Sequence, residues 1–475
     1  MGDRPPFALL RRWAPGLAEA LRASGVSRVH IEKDWDDQGQ GLGFLASCGA
    51  QIGELSVAAE HLRDLSVVMA LPRLDYLSVQ CPLDSVDFAR LPSLRTCLLG
   101  HPATLGNVTA SRTLRTLGLF RLRIRSLAPL EDLLTLRELY LSELRSLDTL
   151  AGIGSLPLEK IELVYLPRLG SISPLDRLAL RSVEITGCGR IGDLDRLGQV
   201  PSLERLHVVS GPDLPSLAFV KGLARLESLV IENTNVTGSS SLHALTDLKR
   251  LRYLALFGGR KRLKMLTEVE RLGELRSLEH LRLCGGPDLE SLDFLRGLDK
   301  LRSFKLWGAT VQDGDMTPIL DLPALEEVEA VYPYRRHYSH TLDQLNAVLQ
   351  ARRGPQATGV GQAALAAPSG DVSSGPGTID ALPSAPGFIP EGRAAAASVS
   401  QQEVDADRRW VELVAASGSE AKLFRALERA AQAAVDEKAL TGEFEVDVRV
   451  AGHQVTIRGR VVGGKATVEE VRPLP

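Results

Sequence analysis

Six side chains in the second half of the sequence are of types that could act together: Tyr253, Phe257, His280, Arg282, Lys305 and Trp307. They stand at odd positions of three short apolar segments beginning at Leu251, Leu278 and Leu301. Aromatic rings beside guanidinium, ammonium and imidazole groups are what protein interfaces use as anchors, so the chemistry suggested is recognition of a protein partner. A plainer reading has Phe257 and Trp307, at the segment ends, folding back over the turns. Tyr253 and Arg282 have no such inward alternative. A second set, Glu138, Tyr140, Glu162, Glu184 and Arg205, occupies the same odd positions earlier in the chain and reads as a solvated surface of mixed charge.

Other chemistry-bearing stretches carry less. YPYRRHYSH (332–340) could stack on bases or grip phosphate. Its His337 and His340 lack the Cys or carboxylate that would complete a metal site, and the stretch reads as a loop over the end of the fold. The basic run GGRKRLKML (258–266) reads as a solvated loop, so nucleic acid is not the expected partner. EKDWDDQGQG (32–41) lacks the spacing and terminal Glu of a calcium loop. The chain has no phosphate-binding GKS/T loop, no GxSxG and no HExxH. Glu443, Glu445 and Asp447 alternate with Phe444, Val446 and Val448, as in a half-buried strand. The sequence thus nominates no catalytic residue, metal, cofactor or small-molecule substrate.

What must position the six residues is a repeat. The pattern apolar-x-x-apolar-x-apolar begins at Val26, Ile52, Leu74, Leu94, Leu114, Leu136, Leu158, Leu180, Leu203, Leu226, Leu251, Leu278, Leu301 and Leu325. These fourteen copies are spaced 20 to 27 residues apart, a period that means a solenoid. The last two apolar positions of each copy share one face of a short strand, and the third, fifth and seventh positions face the other way. One coil cannot bury its leucines alone, but stacked coils can. With strands about 4.8 Å apart, the copies would build a parallel sheet about 65 Å long, with the six residues in a patch about 10 Å across. Between strands the leucines keep a three-residue spacing, as in SLDFLRGLDKL, which suits short 3₁₀ or extended segments.

SLAPLEDL (126–133), SISPLDRL (171–178), SLAFVKGL (216–223) and SLDFLRGL (291–298) resemble the short leucine-rich repeat class of internalins and phosphatase-regulatory proteins. The resemblance covers roughly residues 26–330. It implies an α/β solenoid, a horseshoe whose concave parallel sheet binds a protein. The family's turn Asn, eight residues after the first leucine, is missing. That column holds residues such as Pro82, Leu122, Leu144, Leu166, Cys188, Gly211 and Thr234, of which only Cys188 is a usual replacement. Less uniform turns are expected.

The ends read as lids. A helix is expected over 5–24, within an N-terminal cap of 1–25, with Leu10, Trp13, Leu17 and Leu21 on one side. The repeats run over 26–340, and Thr341 with Gln344 opens a cap helix over 341–353. Residues 354–402, rich in Gly, Ala, Pro and Ser, read as a disordered linker. Residues 403–475 read as a small α+β domain: a short helix near Trp410, a longer one over about 419–438, and a three-stranded antiparallel meander. The five cysteines are scattered, and net charge is −3. No run of about 18 apolar residues could span a bilayer, so a cytoplasmic protein off the membrane is expected. The function expected is a non-catalytic protein–protein interaction scaffold with a flexibly tethered C-terminal docking or dimerisation module. Alternatives are a repeat-targeted effector, toxin or defence protein active through its C-terminal domain, and a nucleic-acid sensor.

Overall fold

Each copy of the repeat places its second and third apolar residues on one side of a strand, and only the neighbouring coils can cover them. The computed structural model realises this for all fourteen copies. It describes residues 7–353, apart from 101–104, 106, 233, 235, 237–239, 258–265, 286–287 and 333–334. In the C-terminal part it describes 427, 429–436, 442–450, 453–462 and 465–473. The chain divides into two compact units, the repeat body and a smaller C-terminal unit.

The body is a fifteen-stranded sheet whose strands follow chain order. Every pair is parallel, and apart from shifts at the two ends the strands are repeat-aligned: Leu117 stands beside Leu139, Leu139 beside Ile161 and Ile161 beside Val183. These residues are wholly or almost wholly buried. The return segments are short 3₁₀ turns such as Ser173–Arg177, Ala218–Gly222 and Asp293–Gly297, as the three-residue leucine spacing predicts. The architecture is a leucine-rich repeat solenoid.

The missing Asn is replaced by backbone geometry. The residue that follows the strand takes positive φ in successive coils: Arg121 (60°), Glu143 (55°), Tyr165 (51°), Gly187 (66°) and Ser210 (48°). In that conformation its N–H donates to the next coil, to the carbonyl of Ser142, Val164, Thr186, Val209 or Glu232 at 2.8–3.0 Å. The turns are therefore more uniform in backbone than the column suggested. Their side chains differ: Leu122, Leu144 and Leu166 are buried, while Thr234 accepts from the Gly211 N–H and donates to the Glu232 carbonyl. Gly187 is required twice over, since a Cβ there would lie 2.5 Å from the Tyr165 ring.

The N-terminal cap differs from its expectation. Phe7–Arg12 is a strand, not the start of a helix, and pairs parallel with Arg28–Asp36. It adds a fifteenth rung, satisfying the backbone of the first repeat strand, which outweighs the helical spacing of Leu10, Trp13, Leu17 and Leu21. Gly16 (φ 81°) then turns the chain into the helix Leu17–Ala23. That helix buries Leu21, and its Leu21 carbonyl accepts from the Gln51 amide. At the other end the helix Leu342–Arg353 begins with reciprocal bonds between Thr341 and Gln344. Leu345 and Leu349 are buried. The Asn346 amide both accepts from the Val328 N–H and donates to the Val328 carbonyl, standing in for a further strand at the sheet edge. Tyr338 seals the last coil, with its hydroxyl accepting from the Val311 N–H at 2.9 Å.

In the C-terminal unit Gly442–Val450, His453–Val462 and Lys465–Pro473 form an antiparallel meander. A helix covering 429–436 packs Ala431, Ala434 and Val435 against Val446, Val455 and Ile457. Register places Glu443 opposite Arg460 and Glu445 opposite Arg458. The expected linker over 354–402, the short helix near Trp410 and nearly all of the basic run at 258–266 lie outside the described residues.

Leu139 is fully buried and Leu134 is 64% exposed, although both are leucines of one coil. Leu139→Ala should cost about 2–5 kcal/mol. Leu134→Ala should stay within about 0.5 kcal/mol. Denaturant melts followed by circular dichroism measure both.

Candidate functional site

Strand alternation decides which side chains are free of the core. In Tyr253–Phe257, His280–Cys284 and Ser303–Trp307 the even members are buried, and the odd members line the open face of the sheet. Register sets Tyr253 beside His280, Ala255 beside Arg282 and Arg282 beside Lys305. Cys284 stands between Phe257 and Trp307, so those two rings are separated by one strand.

The six residues singled out by sequence therefore share one face of three adjacent strands. Tyr253, Phe257, His280, Arg282 and Lys305 are half-buried, and Trp307 is 40% exposed. Trp307 does not fold away into the core. The Tyr253 and His280 rings lie 5.8 Å apart, and the Arg282 guanidinium sits 5.7 Å from the Tyr253 ring centre.

One partner of this group lies outside the six residues that the sequence singled out. Glu329, two strands beyond Arg282, accepts from its guanidinium at 2.8 Å and from the Ser303 hydroxyl at 2.7 Å. Burial opposes its charge, but Arg282 and Ser303 hold the carboxyl below the ordinary glutamate range. Glu232, on the strand before Tyr253, is pushed the other way by burial, against the pull of Arg282 and Lys305. The patch is a preorganised aromatic and cationic surface with acidic counterweights. It has the parts for binding.

The second set is less of a solvated surface than expected. Tyr140, Glu162, Glu184 and His207 stand in one row on successive strands. Lys160 bridges to Glu162 at 2.8 Å and donates to the Tyr140 hydroxyl at 3.1 Å. Burial, with Glu162 alongside, pushes the Glu184 carboxyl up to about 7. Burial, with Arg205 and Lys160 nearby, lowers His207 to about 4. The His207 ring bonds the Ser228 hydroxyl at 2.9 Å. His337 and His340 are engaged separately, with the Val311 carbonyl and the Ser339 hydroxyl. Among the described residues no group of three His, Cys, Asp or Glu could hold a metal, and no helix is long and apolar enough to cross a membrane. All five cysteines are free and buried.

One rim of the open face is a charge ladder. The residue immediately before each strand reads Arg137, Glu159, Arg181, Glu204, Glu227, Arg252, Glu279, Arg302 and Glu326 in successive coils. Arg137 pairs with Glu159 at 3.5 Å, Arg181 with Glu204 at 2.7 Å and Arg252 with Glu279 at 2.8 Å. Arg302 also pairs with Glu326.

No protein-family model matches the chain, and no curated protein does. Among solved structures it is similar to an internalin (inlF) from Listeria monocytogenes at 19% identity, over 66% of this chain and 88% of that chain, with a TM-score of 0.45. It is similar to a leucine-rich repeat protein from Leptospira interrogans at 16% identity, over 67% and 93% of the two chains, with a TM-score of 0.39. The mouse RP105/MD-1 complex gives 18% identity, 73% and 60% coverage and a TM-score of 0.46. The register of this chain's own strands establishes its repeat fold.

Because the Glu184 pKa is raised on folding, the native state holds that proton more tightly between about pH 4.5 and 7, and stability falls as pH rises through that window. Glu184→Gln should remove the penalty. Its gain over wild type should be about 1–3 kcal/mol at pH 8 and much smaller at pH 5, by paired denaturant melts. His207 has the opposite sign: its lowered pKa costs stability as pH falls from about 6.5 toward 4.

Proposed function

We propose that this leucine-rich repeat solenoid is a non-catalytic interaction scaffold that holds a protein partner on the open, concave face of its sheet. The contact centres on Tyr253, Phe257, His280, Arg282, Lys305 and Trp307. One observation carries the reading. Arg282 is held between the Tyr253 ring and Glu329, so a guanidinium and an aromatic surface are presented with little freedom left to lose, and Trp307 projects beside them. Aromatic and Arg anchors ordered in advance are what concentrate binding energy at protein interfaces. Sheet residues unneeded for stacking are free to vary, and this group combines anchor chemistry with exposure.

The C-terminal unit serves in this reading as a tethered docking or dimerisation module. Its meander is covered by a helix on one face, and Asp447 and Arg449 are exposed on the strand Gly442–Val450. The cytoplasm is the compartment in which five buried, unpaired thiols would remain reduced.

Affinity capture with the full chain and a Tyr253→Ala/Trp307→Ala variant, read by mass spectrometry, tests the patch. Loss of two such anchors should weaken a true partner by about 2 kcal/mol or more, enough to remove it from the captured set, while the melting curve stays unchanged. A partner list identical for both proteins would reject it.

A further inference from the structure

The rim ladder, which alternates Arg and Glu apart from the consecutive Glu204 and Glu227, breaks down at its N-terminal end. The residues before the strands Thr96–Gly100 and Thr116–Phe120 are Arg95 and Arg115, followed by Arg137, so three like charges stand on consecutive coils. Arg95 and Arg115 are exposed and, among the described residues, make no side-chain hydrogen bond or ion pair; Asp75, one coil back, feels Arg95 without bonding it. Beyond the far end of the strand Thr116–Phe120, Arg123 and Arg125 are also exposed and, among the described residues, carry no ion pair. These four belong to a tract, residues 88–130, with seven arginines and no Asp or Glu, in a chain of net charge −3. Within this tract no acid answers the charges, although Arg121 reaches Glu143 on the next coil.

From Arg95 and Arg115 across the strands toward the turn that leads to Arg123 and Arg125, the floor is uncharged. Thr96 and Thr116 are nearly buried. Gly118 lies at the centre, and a Cβ there would come within 2.6 Å of both the Leu98 and the Phe120 side chains. Those two half-buried side chains therefore close over the glycine as an apolar strip. A strand of five residues crosses about 16 Å, so an extended peptide of about five to seven residues reaches from rim to rim.

We propose that the open face of the coils beginning at Leu94 and Leu114 binds an acidic segment of a partner protein, an extended stretch with an apolar centre and carboxylates at both ends. Arg95 and Arg115 take the carboxylates at one rim, Arg123 and Arg125 those at the other, and Leu98 and Phe120 meet the apolar centre. Arg suits this role because its planar fork pairs with a carboxylate through two hydrogen bonds. A protein segment fits better than nucleic acid. The basic zone is bounded on its C-terminal side by Glu138, in register with Thr116, and then by Glu162. That leaves about two or three coils, too short a track for the many phosphate contacts that carry nucleic-acid affinity. The site lies on different coils from the Tyr253–Trp307 patch and stands independently of it.

The test uses the full-length protein and a fluorescent peptide with a Leu-Val-Leu centre and two glutamates at each end. A lysine-flanked peptide and a labelled single-stranded oligonucleotide serve as the other arms. The acidic peptide should bind saturably and more weakly as salt rises, and the lysine peptide should not bind. Arg95→Glu/Arg115→Glu and Arg123→Glu/Arg125→Glu should each weaken it about tenfold or more. Arg225→Glu, an exposed arginine elsewhere, and Tyr253→Ala/Trp307→Ala should leave it unchanged. The arginine substitutions are all at exposed positions, and unchanged melting curves confirm the folding of every variant. The proposal is overturned if the acidic peptide fails to bind wild type at low salt, or if both double charge reversals leave its affinity intact. Tighter binding of the oligonucleotide through the same arginines would also overturn it.

Discussion

A coil of this protein has no core of its own. Leu139 is buried because Leu117 and Ile161 flank it on the neighbouring strands, and the same holds along all fourteen copies. The backbone obeys the same rule. The Arg95 carbonyl accepts from both Arg115 and Thr116, and each left-handed residue after a strand donates to the coil that follows. Stability is thus a nearest-neighbour property, and each end must be closed by something that imitates a coil. At the N-terminus an added strand does this; at the C-terminus Asn346 supplies strand-like hydrogen bonds from a helix, and Tyr338 plugs the last turn.

Stacking fixes the buried columns and leaves the open-face columns free, yet it brings their members within about 4.8 Å of one another. Charges that are harmless apart become coupled. Along one rim the sequence responds by alternating Arg with Glu, so adjacent coils pair. On the floor, Glu162 and Glu184 stand side by side with Lys160 as their counter-charge, and burial pushes Glu184 up to about 7. The alternation lapses at Arg95 and Arg115, where two like charges stand side by side on adjacent coils.

Much of the candidate site was legible because strand alternation is local. Once the repeat phase is read, Tyr253, His280, Arg282, Lys305 and Trp307 must fall on one face, and they do. Glu329 was not legible. It lies 47 residues from Arg282, and its strand is bulged against its neighbour, with Lys305 opposite Ala330. The N-terminal cap misled for a related reason. The helical spacing of Leu10, Trp13, Leu17 and Leu21 is real, but Phe7–Arg12 gains more by hydrogen bonding to a bare sheet edge than by forming a helix end.

By itself the sequence determined the solenoid, its coil count, the short 3₁₀ returns and the membership of each face, since all follow from the period of apolar residues along one chain. Tertiary structure decided what period cannot carry: that Phe7–Arg12 is a rung, that left-handed backbone replaces the missing Asn, that Arg282 is tied to Glu329, and that Glu184 is crowded enough to hold its proton. Each depends on which atoms lie across the gap between coils, and that distance is fixed by packing rather than by spacing in the chain.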